Sequence, residues 1–134
     1  MPTKLYNIPV LELGVPTQYS GKIYTPNIVQ NAIMALYEYI NKTNVLIGTI
    51  DPEIDSRYGV PVDKASHLVT SLFIEQHTVF ADMILLDTPY GKILQKLVKK
   101  QQARFALSGI GAITSDNIVT NYQILTVSAH NTLT

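Results

Sequence analysis

The chain contains no cysteine. Disulfides, zinc–thiolate centres and thiol nucleophiles are therefore excluded together. Charge is also scarce: Asp, Glu, Lys and Arg make up 15% of the 134 residues, where ~25% is usual for a soluble domain. Ten cationic residues balance ten anionic ones, for a formal net charge of zero. That balance argues against a protein built to grip nucleic acid or an anionic membrane. No apolar run approaches the ~18–20 residues of a membrane span. Asn7, Pro9, Glu12 and Gly14 interrupt the opening segment, so it has no signal-peptide core. The expected setting is a cytoplasm. The seven glycines form neither a dinucleotide fingerprint nor a phosphate loop, which leaves nucleotide cofactors unsupported.

What the chain does have is apolar content, at 46%. A core built from 134 residues removes roughly 65–70% of the unfolded surface from water, so no metal or disulfide staple is needed. No repeat or low-complexity tract divides it. We expect one compact unit over residues 1–134, with its core over about 24–130 and a short loose tail after His130. A lightly charged surface lacks the repulsion that keeps small proteins apart, which favours life in an assembly.

Two helices are legible. Thr25-Pro26 supplies an N-cap and a first-turn proline. Ile28, Val29, Ala32, Ile33, Leu36, Tyr37 and Ile40 follow at three- and four-residue spacing. Thr88-Pro89 repeats the device, with Asp87 suited to the positive end of the dipole. The apolar stripe expected there is Ile93, Leu94, Leu97 and Val98, with Lys92, Lys96, Lys99 and Lys100 on the remaining surface. Strands are expected over residues 5–13, 44–50, 67–74, 78–86, 105–108 and 118–127. The middle pair is joined around Glu75-Gln76-His77, and the last pair turns at Ser115-Asp116-Asn117. Hairpins imply antiparallel pairing. The expected class is thus α+β: a mainly antiparallel sheet or small barrel with two principal helices.

Three places carry residues capable of chemistry. Asp51, Glu53 and Asp55 alternate like the start of a calcium loop, but the glycine and distal glutamate are not at the required spacing. We read a solvated loop and expect no metal. The lysines at 92, 96, 99 and 100 form a cationic stripe that suits phosphates or an acidic protein partner, but we read it first as a solvated helix face, since no interleaved aromatics provide stacking. Ala106-Leu107-Ser108-Gly109-Ile110-Gly111 sets a serine at a strand end beside glycines. Backbone N–H groups there would suit an oxyanion hole, while a β-bulge explains the same residues without chemistry. His67, His77 and His130 each have a structural reading as well.

The order of these pieces resembles the prohead (capsid-maturation) proteases of tailed bacteriophages, a serine-protease family with a fold related to herpesvirus assemblin. The resemblance covers residues 24–130. Leu86-Asp87-Thr88-Pro89-Tyr90-Gly91-Lys92 is similar to the family's Leu-Asp-Thr-Pro-x-Gly-Lys segment and is the most specific match. Tyr24-Thr25-Pro26 resembles its helix entry, and Ser66-His67 a non-catalytic pair in its central hairpin. Leu107-Ser108-Gly109-Ile110-Gly111 falls where the family has Ser-Ser-Arg-Gly-x-Gly, which places Ser108 at the nucleophile's position and His130 near the third catalytic member. Gly48-Thr49-Ile50-Asp51-Pro52 falls at the family's Gly-Glu-Leu-x-His-Pro segment, but Asp51 meets Pro52 with no histidine between them. A serine hydroxyl without a base has nothing to take its proton.

The resemblance with that departure implies a catalytically inactive, protease-like virion protein. It would bind the major capsid protein or other head proteins, as decoration or an internal component. A homo-oligomer is expected, with no cofactor, nucleic acid or membrane. The alternatives are an active serine endopeptidase using Ser108 with His67 or His130, and a regulator of a separate prohead protease.

Overall fold

The computed structural model describes residues 3–17, 20–43 and 46–132. The elements run β1 (Thr3–Glu12), α1 (Pro26–Thr43), β2 (Ile47–Gly48), β3 (His67–Glu75), β4 (Thr78–Leu85), α2 (Pro89–Lys99), β5 (Ala103–Ile113) and β6 (Val119–Asn131). Short 3-10 turns at Ser56–Tyr58 and Val62–Lys64 interrupt the β2–β3 connection. β1, β4, β3 and β2 form one antiparallel sheet in that order, while β5 and β6 form a separate hairpin. β5 lies beside β1 and β6 beside β2, so the hairpin faces both edges of the larger sheet. The result is a curled, half-barrel α+β fold, as the spacing of strands and helices predicts.

Each helix follows from its local chemistry. Pro26 opens α1 with a ring already set at a helical φ. Val29, Ala32, Ile33 and Leu36 are buried in the main core together with Val10, Leu72, Met83 and Val127. Met34 points to solvent; the side chain expected at Ile40 lies outside the described residues. At α2 the expected cap is present: Thr88 Oγ1 accepts from the N–H of Gly91 at 3.0 Å. Its hydroxyl also donates to the carbonyl oxygen of Ala65, which fastens the helix to the β2–β3 connection. Leu94 is fully buried beside Leu85 and Ala129, with Val98 against them. Ile93, expected on the buried stripe, is instead 49% exposed. It lies about 100° around the helix from Leu94, beyond the arc that the sheet covers.

Several strand bounds differ from the sequence reading. β5 and β6 are longer than residues 105–108 and 118–127, because pairing continues to Ala103↔Asn131 at one end and Ile113↔Val119 at the other. The chain is therefore still held at Asn131, past the point where a loose tail was expected, and Thr132 N–H donates to Gln102 O at 2.8 Å. The strand expected over residues 44–50 contracts to Ile47–Gly48; positions 44 and 45 lie outside the described residues. The β3–β4 hairpin turns at Gln76, whose φ of 55° is left-handed.

Candidate functional site

Of the residues singled out from sequence, Ser108 and His130 lie on the β5–β6 hairpin. Directly opposed residues of an antiparallel pair share a face. Arg104 opposes His130, Ala106 opposes Ser128 and Ser108 opposes Thr126, so these six residues share one side. Phe105 and Leu107 on the other side pack against the core. Ser108 and His130 thus face the same way, but they are not neighbours. Four residues of strand separate their rungs, about 14 Å at ~3.4 Å per residue. No hydrogen bond spans that distance.

His130 has another partner. Its Nε2 lies 3.0 Å from Ser128 Oγ, and that hydroxyl donates to the carbonyl oxygen of Ala106 at 3.3 Å. With the hydroxyl proton directed at Ala106, the serine oxygen accepts from Nε2–H, and that nitrogen is not free to act as a base. Partial burial holds the His130 pKa below its ordinary value, and the Arg104 charge lowers it further. Ser128 escaped the sequence reading. The signal for it was the two-residue alternation of a strand, which puts residues 128 and 130 on one face.

The Ser108–Gly109 step is a register irregularity, with Ser108 opposite Thr126 and Gly109 opposite Ile124. The extra residue of this bulge is Leu125. A Cβ on Gly109 would run into the Gln123 carbonyl oxygen and the Tyr122 ring, so close packing accounts for the glycine. Tyr122 stacks edge-on to Tyr24, with ring centroids 5.1 Å apart, and burial pushes its phenol pKa up.

His67 is fully buried. Its Nε2 is 2.7 Å from the carbonyl oxygen of Val127 and its Nδ1 is 2.8 Å from Ser66 Oγ. Since a carbonyl oxygen only accepts, Nε2 carries the proton and Nδ1 accepts from the serine. Burial pushes the pKa down to about 4, against a smaller opposing effect of the Val127 hydrogen bond. The ring meets Phe105 edge-on at 5.9 Å. With both nitrogens occupied by structural partners, His67 does not join Ser108 or His130.

The segment where the resemblance expects a histidine passes close to β6, since the N–H of Ala129 donates to Thr49 O at 3.3 Å. Beyond it, Asp51 accepts from the N–H of Glu53 at 3.0 Å. Asp55 pairs with Arg57 at 2.6 Å, and the Arg57 side-chain hydrogen bond draws its pKa below the usual carboxylate range. Two of these carboxylates thus serve their own loop. Among the described residues, no three His, Asp or Glu side chains stand together to hold a metal ion. A groove of about 650 Å³ lies between α1, β2 and β6, walled by Ala32, Ala35, Leu36, Ile47 and Ile124, with Arg57 at the rim. Neither Ser108 nor His130 lines it. Lys92, Lys96, Lys99 and Lys100 are all exposed on α2 or its C-cap, on a different element from the hairpin that carries Ser108.

No known family profile matches the chain, and no curated protein matches it significantly in sequence. Among solved structures, the chain is similar to the bacteriophage T4 capsid assembly protease, gp21. The superposition has a TM-score of 0.73 at 15% identity and covers 96% of this chain and 90% of that one. At that identity the likeness concerns the fold, which is that of a phage capsid assembly protease.

Proposed function

We propose that this chain is a prohead-protease-like head protein that has lost catalysis and binds the capsid shell of a tailed phage, as decoration or as an internal component. The observation that carries this reading is the arrangement on the hairpin. Ser108 stands four strand rungs from His130, His130 is engaged by Ser128, and Asp51-Pro52 stands where the resemblance calls for a histidine. A serine hydroxyl needs a base within hydrogen-bond reach to become a nucleophile. His67 and His130, the histidines weighed for that role, are both committed elsewhere. The partner is the major capsid protein or another head protein, and the location is the virion.

Two measurements test this reading. A fluorophosphonate probe should leave the protein unlabelled under maturation conditions, whereas labelling abolished by Ser108→Ala would establish an active endopeptidase. Mass spectrometry of purified particles should find the protein in the head. Its absence, with co-purification of a separate protease, would assign it as that protease's regulator.

A further inference from the structure

Helix α2 carries two surfaces. Leu94 and Val98 face the core. Around the rest of the helix, at about 100° per residue, Lys92, Lys96, Lys99 and the C-cap Lys100 fall within an arc of about 100°. Next to that arc runs a second apolar stripe, Tyr90, Ile93 and Leu97, at i, i+3 and i+7. Tyr90 and Leu97 are half-buried, Ile93 is exposed, and none of the three belongs to either core cluster.

The charge on this face is uncompensated. Residues 89–99 include no carboxylate, and no ion pair among the described residues involves these lysines. Lys92–Lys96 and Lys96–Lys100 are like-charge i, i+4 pairs, which repel. The helix dipole favours Lys96, Lys99 and Lys100 near the C-terminus, but it opposes Lys92 in the first turn. Lys64 adds a further cation at that end, its Nζ 5.3 Å from the centroid of the Tyr90 ring. Neither the dipole nor local pairing accounts for the whole face.

From this juxtaposition we propose that α2 is a docking surface for an acidic amphipathic helix of a partner protein. Apolar side chains of that helix would cover Tyr90, Ile93 and Leu97, and its flanking carboxylates would meet the lysines. Charge complementarity selects an anion, and the apolar stripe selects a protein. Phosphates offer nothing to cover an isoleucine, and the zero net charge of the chain supplies no long-range pull on a polyanion. Helix-in-groove recognition reads anchors at this same i, i+3, i+7 spacing. The inference deepens the head-binding reading by naming a surface, yet it is tested without particles, so either can fail alone.

The probe is a synthetic helical peptide with leucines at i, i+3 and i+7 flanked by glutamates, titrated into the full ¹⁵N-labelled chain. Two comparison ligands are the same peptide with lysines for glutamates and a short DNA duplex. Saturable shifts confined to α2 and the Val62–Lys64 turn are expected with the glutamate peptide alone. The double variant K96E/K99E should weaken binding at least about tenfold, as should raising salt from about 50 to about 300 mM. Ile93→Ser, at an exposed position, should weaken binding while leaving its salt dependence unchanged, and it provides the test if the charge reversals disturb the helix. Equal binding of the lysine peptide, tighter binding of the duplex, shifts centred elsewhere, or α2 occluded by a second copy in sedimentation would each overturn the proposal.

Discussion

The imidazole of His67 donates through Nε2 to the carbonyl oxygen of Val127 at 2.7 Å, joining residues 60 positions apart. This bond ties β3 of the four-stranded sheet to β6 of the hairpin. Because Ser66 satisfies Nδ1, the buried ring is held neutral and fully bonded. Its protonation is therefore coupled to the assembly of the two sheets.

Stability should fall as pH drops from about 6.5 to about 4. The folded-state pKa of His67 is depressed to about 4, below the ordinary ~6.5 of an unfolded histidine. In that window the unfolded chain takes up a proton that the folded chain refuses, so protonation favours unfolding. At about 1.4 kcal/mol per pH unit, the loss approaches ~3 kcal/mol at pH 4, with no further contribution below. Urea denaturation across this range checks the slope, and NMR titration of the His67 ring checks its midpoint.

Gly48→Ala should destabilise the fold by roughly 1–3 kcal/mol, as overpacking against fixed neighbours does. Gly48 pairs with His67 across β2 and β3. A Cβ there would meet both the His67 ring and the Val127 carbonyl oxygen. Thermal unfolding measures the loss, and the His67 ring resonances should shift in the same variant.

Tyr37→Phe should cost about 1–3 kcal/mol, the range for leaving buried polar groups unpaired. The Tyr37 hydroxyl accepts from the N–H of Leu72 and donates to its carbonyl oxygen, both at 2.8 Å. β2 covers β3 only at His67 and Leu68, so this side chain from α1 closes the next part of the strand edge. Denaturant midpoints of the two proteins, at equal m-values, test the effect.

Arg104→Gln should raise the pKa of His130 toward the ordinary histidine value. Burial is the larger cause of its depression and Arg104 the second, so the rise should be partial. The titration midpoint of the His130 ring by NMR checks it. An unchanged midpoint would assign the whole depression to burial.

How far the site could be read in advance depended on the range of the interactions involved. The Thr88 cap and the Pro89 start of α2 are contacts within one turn, and they were legible. The β3–β4 hairpin was equally legible, because Glu75-Gln76-His77 separates two apolar runs that pair with their nearest neighbour. The exposure of Ile93 is not legible, because a helical stripe shows which residues share a face, but not how wide an arc the sheet will cover. The distance between Ser108 and His130, paired only in the alternative endopeptidase reading, is not legible for another reason. Register along β5–β6 sets their separation, and the bulge at Leu125 that helps set the register leaves no distinct mark in the sequence.

The amino-acid sequence by itself determined the α+β class, the two helices and the absence of a histidine before Pro52, because periodicity, caps and residue identity are local properties. Only the tertiary structure decided that His67 is a structural core residue, that His130 belongs to Ser128, and that the lysines of α2 border a partly exposed apolar stripe. Those outcomes depend on which distant strands meet and on what each meeting removes from water, and no short window of sequence contains that information.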